Sequence, residues 1–306
     1  MTTPGVAPPA GRQGPGPLPR ALLQALDLRL ARRSASPLPG EHHSPGVGQG
    51  TELTQLRPYE VGDDVRQLDA AATARTGEPH VRLHVPERAL TTWVVIDVSP
   101  SMAFGTVDRL KADVAHGVGL AVAQLAVRRG GRLAMLSFGA ENPRLLPPSG
   151  GRGAVARVRR ALEEGVAVDA DEPRAPDRGA LAKTLARVGK MAKASGLVVL
   201  ISDFRDEDEW QRPLRRLSLL HSVVTVEVSD PRERELPAVG RLAVVDPETG
   251  RVVEVDTNRP KLRWKFAAAE ADRRAQLAED LRRAGVQHIE LSTEGEWLRD
   301  LGRGLR

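Results

Sequence analysis

Thr92-Trp-Val-Val-Ile-Asp97 runs directly into Val98-Ser-Pro-Ser-Met102. The first six residues form an apolar run that ends on a carboxylate, the pattern of a strand buried on both faces of a parallel sheet. The next five mix two serines with a proline, which ends the strand and starts a turn. A second such run, Leu197-Val-Val-Leu-Ile-Ser202, ends on Asp203. In open α/β sheets, ligands bind outside the carboxyl ends of the strands. Two strand-tip aspartates, with Ser99 and Ser101 on one side of the turn, therefore make an all-oxygen donor set. Such a set suits Mg²⁺, or else Mn²⁺ or Ca²⁺, and Mg²⁺ keeps a position for an outside oxygen.

Outward from this stretch, apolar runs alternate with amphipathic ones. Helices are expected at 108–128, 153–164, 178–194, 207–220, 262–284 and 294–301, and further strands at 133–138, 222–228 and 286–291. That alternation predicts an α/β fold with a doubly wound, mostly parallel sheet over residues 88–306. Residues 242–245 and 252–255 read as a hairpin across Pro247-Glu-Thr-Gly250, an insertion at about 230–258. The glycines at 150, 151 and 153 read as a flexible loop near the sheet top; they lack the Lys-Ser/Thr ending of a phosphate-binding loop.

Two segments precede this region. Residues 1–50 are rich in Pro, Gly and Ser and read as largely disordered, apart from a short amphipathic helix at 18–33 built on Leu22, Leu23, Leu26, Leu28 and Leu30. That helix docks either on the body or on a partner. Residues 51–87 form an irregular or β segment that packs on the core, dense in charge around Tyr59-Glu-Val-Gly-Asp-Asp-Val-Arg66.

Composition narrows the functional classes. With 306 residues, 41% of them hydrophobic, the chain is long enough for a sizeable core. It has no cysteine, which excludes disulfides, cysteine-held zinc, iron–sulfur clusters and thiol catalysis and fits a reducing, cytoplasmic compartment. Aromatic residues at 3% argue against a base-stacking surface. The net charge of +5 comes from 45 basic and 40 acidic residues spread along the chain, so it reads as a solvated surface and not as a specific nucleic-acid site. No apolar run approaches the ~20 residues of a membrane-spanning helix.

Asp97-x-Ser99-x-Ser101 after a buried strand resembles the metal-ion-dependent adhesion site of von Willebrand factor A domains. The resemblance implies a Rossmann-type A-like fold. It also implies that Ser99 and Ser101 ligate the ion, that Asp97 and Asp203 act through water, and that a partner's Glu or Asp completes the shell. The family's site threonine has no counterpart: Ala175-Pro-Asp177 stands in its place, with Asp177 as a substitute, and Thr184 lies within a helix. A narrower resemblance covers residues from about 20 to the end. Tyr59-Glu-Val-Gly-Asp-Asp-Val-Arg66, Asp69 and Thr73-Ala-Arg75, with Asp230-Pro-Arg-Glu-Arg-Glu-Leu-Pro237 and Asp246-Pro-Glu-Thr-Gly250, are similar to the bacterial domain-of-unknown-function family fifty-eight. Ala70 departs from that family, which usually has tryptophan there. The resemblance implies an adaptor or chaperone partner of a MoxR-type AAA+ ATPase.

Each of these residues also has a plainer reading. Ser and Asp cap helices whatever their function, which applies to Asp97, Ser99, Ser101, Asp203 and Asp177 alike. Gly62, Asp63, Asp64, Arg66, Asp69 and Arg75 form either a structural ion-pair cluster or a partner-facing surface, and Tyr59 is expected to be a buried hydroxyl anchor. His80 and His84 share a strand face but read as ordinary packed or exposed histidines. Enzyme readings fare worse: His116 and His221 are badly placed for a triad, no nucleophile elbow surrounds the serines, and the ion lacks the extra carboxylates a metal hydrolase needs. The expectation is therefore metal-dependent protein recognition without catalysis. A binding scaffold with a vestigial, metal-free site is the alternative, and a metal-dependent phosphoesterase a remote one.

Overall fold

The computed structural model describes residues 14–26, 52–61, 63–85, 90–128, 130–163, 179–205, 209–247 and 249–305, with side chains 52–55 and 82–85 outside the description. In chain order, α1 (residues 20–26) is followed by β1 (Glu52–Pro58), α2 (Ala70–Thr76) and β2 (His80–Val85). Then come β3 (Thr91–Asp97), α3 (Lys111–Arg128), β4 (Arg132–Phe138), β5 (Leu145–Ser149) and α4 (Gly151–Glu163). Next are α5 (Ala180–Met191), β6 (Gly196–Ser202), α6 (Gln211–Ser218), β7 (Ser222–Ser229) and α7 (Pro231–Arg234). The chain closes with β8 (Arg241–Val245), β9 (Val252–Asp256), α8 (Pro260–Arg283), β10 (Gln287–Ser292) and α9 (Trp297–Gly304).

The chain divides into two compact units, Pro39–Ala89 and the remainder. In the larger unit a six-stranded sheet has the order β10-β7-β6-β3-β4-β5. All neighbouring strands are parallel except β4 and β5. Side chains alternate between faces with the period of two that strands impose. Val94, Ile96, Leu133, Met135, Val199 and Val226 line one face, with α1, α3, α4 and α9. Trp93, Val95, Leu136, Val198 and Leu200 line the other, under α5, α6 and α8. Helix α3 is apolar nearly all round, as a helix enclosed by other elements must be. A Cβ at Gly117 would lie 2.3 Å from the Trp297 ring, so this glycine allows α9 to pack close.

Several expectations need correction. Strand β5, Leu145-Leu-Pro-Pro-Ser149, was not anticipated, because two prolines argue against a strand; they are tolerated on the antiparallel edge, where ladder N–H groups are not all required. Since Leu133 pairs with Ser149, this strand returns the chain to the amino end of β4. Gly150 and Gly151 therefore lie at the opposite end of the sheet from the strand tips, and Gly151 and Gly153 begin α4. The leader is not wholly unstructured: the Trp297 indole donates to Pro15 O at 3.0 Å, and Leu23 and Leu26 are buried on the body of the larger unit. The disorder expected at 1–13 and 34–50, and the helical continuation to 33, fall outside the described residues. Strands β8 and β9 pair antiparallel.

The smaller unit is built on the antiparallel pair β1–β2. Among its described residues, several charged side chains serve as pairs or caps. Asp63 pairs with Arg57 at 2.6 Å, whereas Asp64 caps a 3-10 turn through Arg66 N and buried Asp69 caps α2 through Ala72 N. Arg66 and Arg75 are exposed, and Tyr59 is half-buried instead of a buried anchor. Gly62 lies outside the described residues. The His80 ring meets Glu78 O and Thr76 Oγ1. The side chain of His84 is not described.

Candidate functional site at the strand tips

Three adjacent parallel strands, β3, β6 and β7, carry Asp97, Asp203 and Asp230 at their carboxyl ends, the first as the last strand residue and the other two directly after it. Asp97 is held from both sides: Ser99 N donates to Oδ1 at 2.9 Å and the Ser202 hydroxyl to Oδ2 at 2.6 Å. Ser99 and Ser101 bring their hydroxyls to 3.0 Å from each other. The Ser101 hydroxyl also reaches Asp203. All four expected site residues thus come together, with Asp97, Ser101 and Asp203 buried and Ser99 half-buried. Asp177, the threonine's expected substitute, lies outside the described residues. Thr184 is a buried residue of α5.

The backbone is shaped for this convergence. Gly139, just beyond β4, has φ +83°, and a Cβ there would lie 2.7 Å from Ser99 Cβ and 2.8 Å from Ser99 N. Only glycine lets the β4 tip approach the serine turn so closely. Phe204, directly after Asp203, has φ 52°, the sole non-glycine at positive φ among the described residues. An aromatic residue in that region is strained, and strain of this kind gathers at functional turns. The Phe204 amide donates to Ser202 Oγ at 3.0 Å, and its ring packs on Trp210 with centroids 5.4 Å apart.

A residue that sequence reasoning missed dominates the electrostatics. Lys111 opens α3 with its side chain fully buried, and its ammonium donates to Asp203 Oδ2 at 2.7 Å and to Glu233 Oε1 at 2.6 Å. Asp230 was assigned no site role. It accepts bonds from Thr106 N, Thr106 Oγ1 and Thr293 Oγ1, tying the loop after the serine turn to the β7 tip. It also caps α7 in a reciprocal capping box with Glu233. Two signals pointed this way: the capping-box spacing Asp230-x-x-Glu233, and a lysine at the start of a mostly apolar helix, where the dipole disfavours a cation.

These contacts set the ionisation of the two aspartates apart. Burial, reinforced by the Asp203 charge, pushes Asp97 up to about 7. Burial also penalises the charged form of Asp203, but the Lys111 ammonium offsets this and holds the carboxyl below the usual range. Lys111 likewise stays above its ordinary value, because Asp203 and Glu233 outweigh its burial.

The oxygen donors of a divalent site are therefore present, but the Asp203 charge is already compensated by Lys111, while Asp97 has hydroxyl and amide donors and no cation beside it. Two cations sharing one carboxylate lie only a few ångströms apart. A divalent and a monovalent charge ~5 Å apart repel by roughly 7 kcal/mol at an effective dielectric of ~20. Lys111, seated on Asp203, thus takes up the charge on which such an ion would draw and weighs against a resident divalent ion there. A separate group, Glu227, His288 and Glu290 on β7 and β10, brings potential ligand atoms within 4.8 Å of one another. Its carboxylates are paired to Arg273, Arg274 and Arg234, which makes it an ion-pair network.

The strand order, with its antiparallel edge and its aspartate–serine turn, is that of a von Willebrand factor A-like fold. The chain belongs to the family described as "Protein of unknown function DUF58", whose model matches residues 55–276. Uncharacterized proteins of Mycobacterium tuberculosis and Mycobacterium bovis are each 38% identical over 286 residues, covering 92% of this chain and 87% of theirs. Similar solved structures include the conserved hypothetical protein BatB from Bacteroides thetaiotaomicron, with 12% identity, a TM-score of 0.45, and coverage of 71% of this chain and 97% of that one. The SpRpn10 VWA domain has 12% identity, a TM-score of 0.35, and coverage of 70% and 93%. Among the described residues no helix is long and apolar enough to cross a membrane.

Proposed function

We propose that this chain is a non-catalytic recognition module that presents its strand-tip face to a partner protein in the cytoplasm. The observation that carries the reading is the pairing of a polar centre with an apolar rim. Ser99 is half-buried beside Ser101, while Phe104 and Val107, on the loop fastened by Thr106 to Asp230, are 40% and 37% exposed. Exposed aromatic and aliphatic groups around a rigid polar centre are what a partner can bury. Asp97 supports a structural role over a catalytic one, since both of its oxygens already accept hydrogen bonds. On the family resemblance, the partner is a MoxR-type AAA+ ATPase or its client, with this chain as adaptor or chaperone component.

In the metal-bridged form of this reading, Mg²⁺, Mn²⁺ or Ca²⁺ at Ser99 and Ser101 would receive a Glu or Asp from the partner. The metal-free form is favoured by the Lys111–Asp203 contact. Binding of the purified chain to a purified MoxR-type ATPase, measured by calorimetry, tests the face itself. Ser99→Ala and Phe104→Ser should each weaken binding at least about tenfold with the fold intact, an effect of roughly 1.4 kcal/mol. Wild-type affinity in both variants would show that recognition lies elsewhere on the molecule.

A further inference from the structure

We infer that Lys111 is the built-in cation of the strand-tip site, standing in permanently for a divalent ion. The inference deepens the recognition reading by making that recognition independent of metal. It begins with burial. The Lys111 side chain is fully enclosed, and an ammonium is kept away from water only where charged partners compensate it. Those partners are Asp203 at 2.7 Å and Glu233 at 2.6 Å, with the Phe104 ring centroid 5.9 Å away.

Of the two, Asp203 is the carboxylate on which a divalent ion beside Ser99 and Ser101 would depend, since the Ser101 hydroxyl already reaches it. Its other oxygen, Oδ1, accepts from Arg205 N at 3.2 Å. Glu233 is equally committed: Oε1 also faces Arg205 Nε at 3.3 Å, and Oε2 accepts from Asp230 N at 2.9 Å. Arg205 continues to Glu270, and Glu270 to Arg273. The carboxylates from Asp203 outward are thus matched by protein cations in an unbroken chain, so a divalent ion at Asp203 would compete with Lys111 for a charge already taken up. Lys111 also joins the start of α3 to the β6 tip and to α7, so one side chain supplies both the charge and the cross-bracing.

Calorimetric titration of the full chain with Mg²⁺ and Mn²⁺ tests this without any partner, so its failure is separable from failure of the recognition reading. The wild type should show no saturable binding, and its melting temperature should not move with MgCl₂. Lys111→Met keeps the volume and removes the charge. It should melt lower and acquire saturable Mn²⁺ binding, at least tenfold tighter than any wild-type affinity. Saturable wild-type binding abolished by Asp97→Ala would overturn the inference, as would a folded Lys111→Met that binds no Mn²⁺. If Lys111→Met does not fold, the wild-type titration still decides: saturable heat refutes the inference and its absence supports it.

Discussion

Two aspartates of similar burial sit at neighbouring strand tips, yet their partners give them opposite ionisation. Asp203 has an ammonium and stays charged; Asp97 has only hydroxyl and amide donors and is pushed up to about 7. The consequence for stability has a definite sign. An Asp97 that ionises at about 7 when folded and at 3.8 when unfolded binds more protons in the native state across that interval. Its contribution is therefore complete below the unfolded value and is lost as the pH rises through the folded one. Asp97→Asn mimics the protonated form, so its melting temperature relative to the wild type should rise between about pH 5 and about pH 8. A difference that stays flat across that range would mean that Asp97 is charged throughout. This residue, Ser99, Ser101 and Asp203 were readable as a site because each lies in or beside a strand-ending pattern. Lys111 was not, since it is 92 positions from Asp203 and 122 from Glu233.

Among the elements, α7 is the least conspicuous and the most consequential. Four residues long, it is too short for any periodicity to announce, and it went unanticipated as a helix although its sequence marked the family. Its capping box aims Glu233 at Lys111 and leaves Asp230 free to hold the Thr106 loop. Glu233→Ala removes both a cap and a counter-charge, and leaving a buried charge short of a partner costs about 3–5 kcal/mol. Since Asp203 still partners Lys111, a loss of roughly 3 kcal/mol is expected from urea unfolding, with Glu233→Gln milder because it keeps the acceptor oxygen. A loss below about 0.5 kcal/mol for the alanine variant would show that the ammonium does not depend on this helix. The long elements were legible for the opposite reason: β3 and β6 are continuous apolar runs, and α3 extends over Lys111–Arg128. The exception is β5, where prolines conceal a strand that only its edge position permits.

In the molecule as a whole, residues 14–26 are part of the larger unit. Leu23 and Leu26 join the core beneath α3 and α9, and Pro15 accepts from Trp297. Burial of a leucine is worth about 1.5–3 kcal/mol. Deletion of residues 1–26 should therefore lower stability by roughly 3 kcal/mol and raise binding of a hydrophobic dye; a truncated chain that melts with the full-length protein would show the contact to be incidental. The sequence by itself determined the α/β class, the alternation of strands and helices, and the four oxygen-bearing residues at two strand tips. Those features follow from local periodicity and from residues a few positions apart. Only the tertiary structure decided that the glycines at 150 and 151 lie away from the site, that a third aspartate joins the row, and that a lysine neutralises the second. Charge compensation depends on which distant segments the sheet order brings together, and a buried ammonium is tolerated only once those segments have supplied its carboxylates.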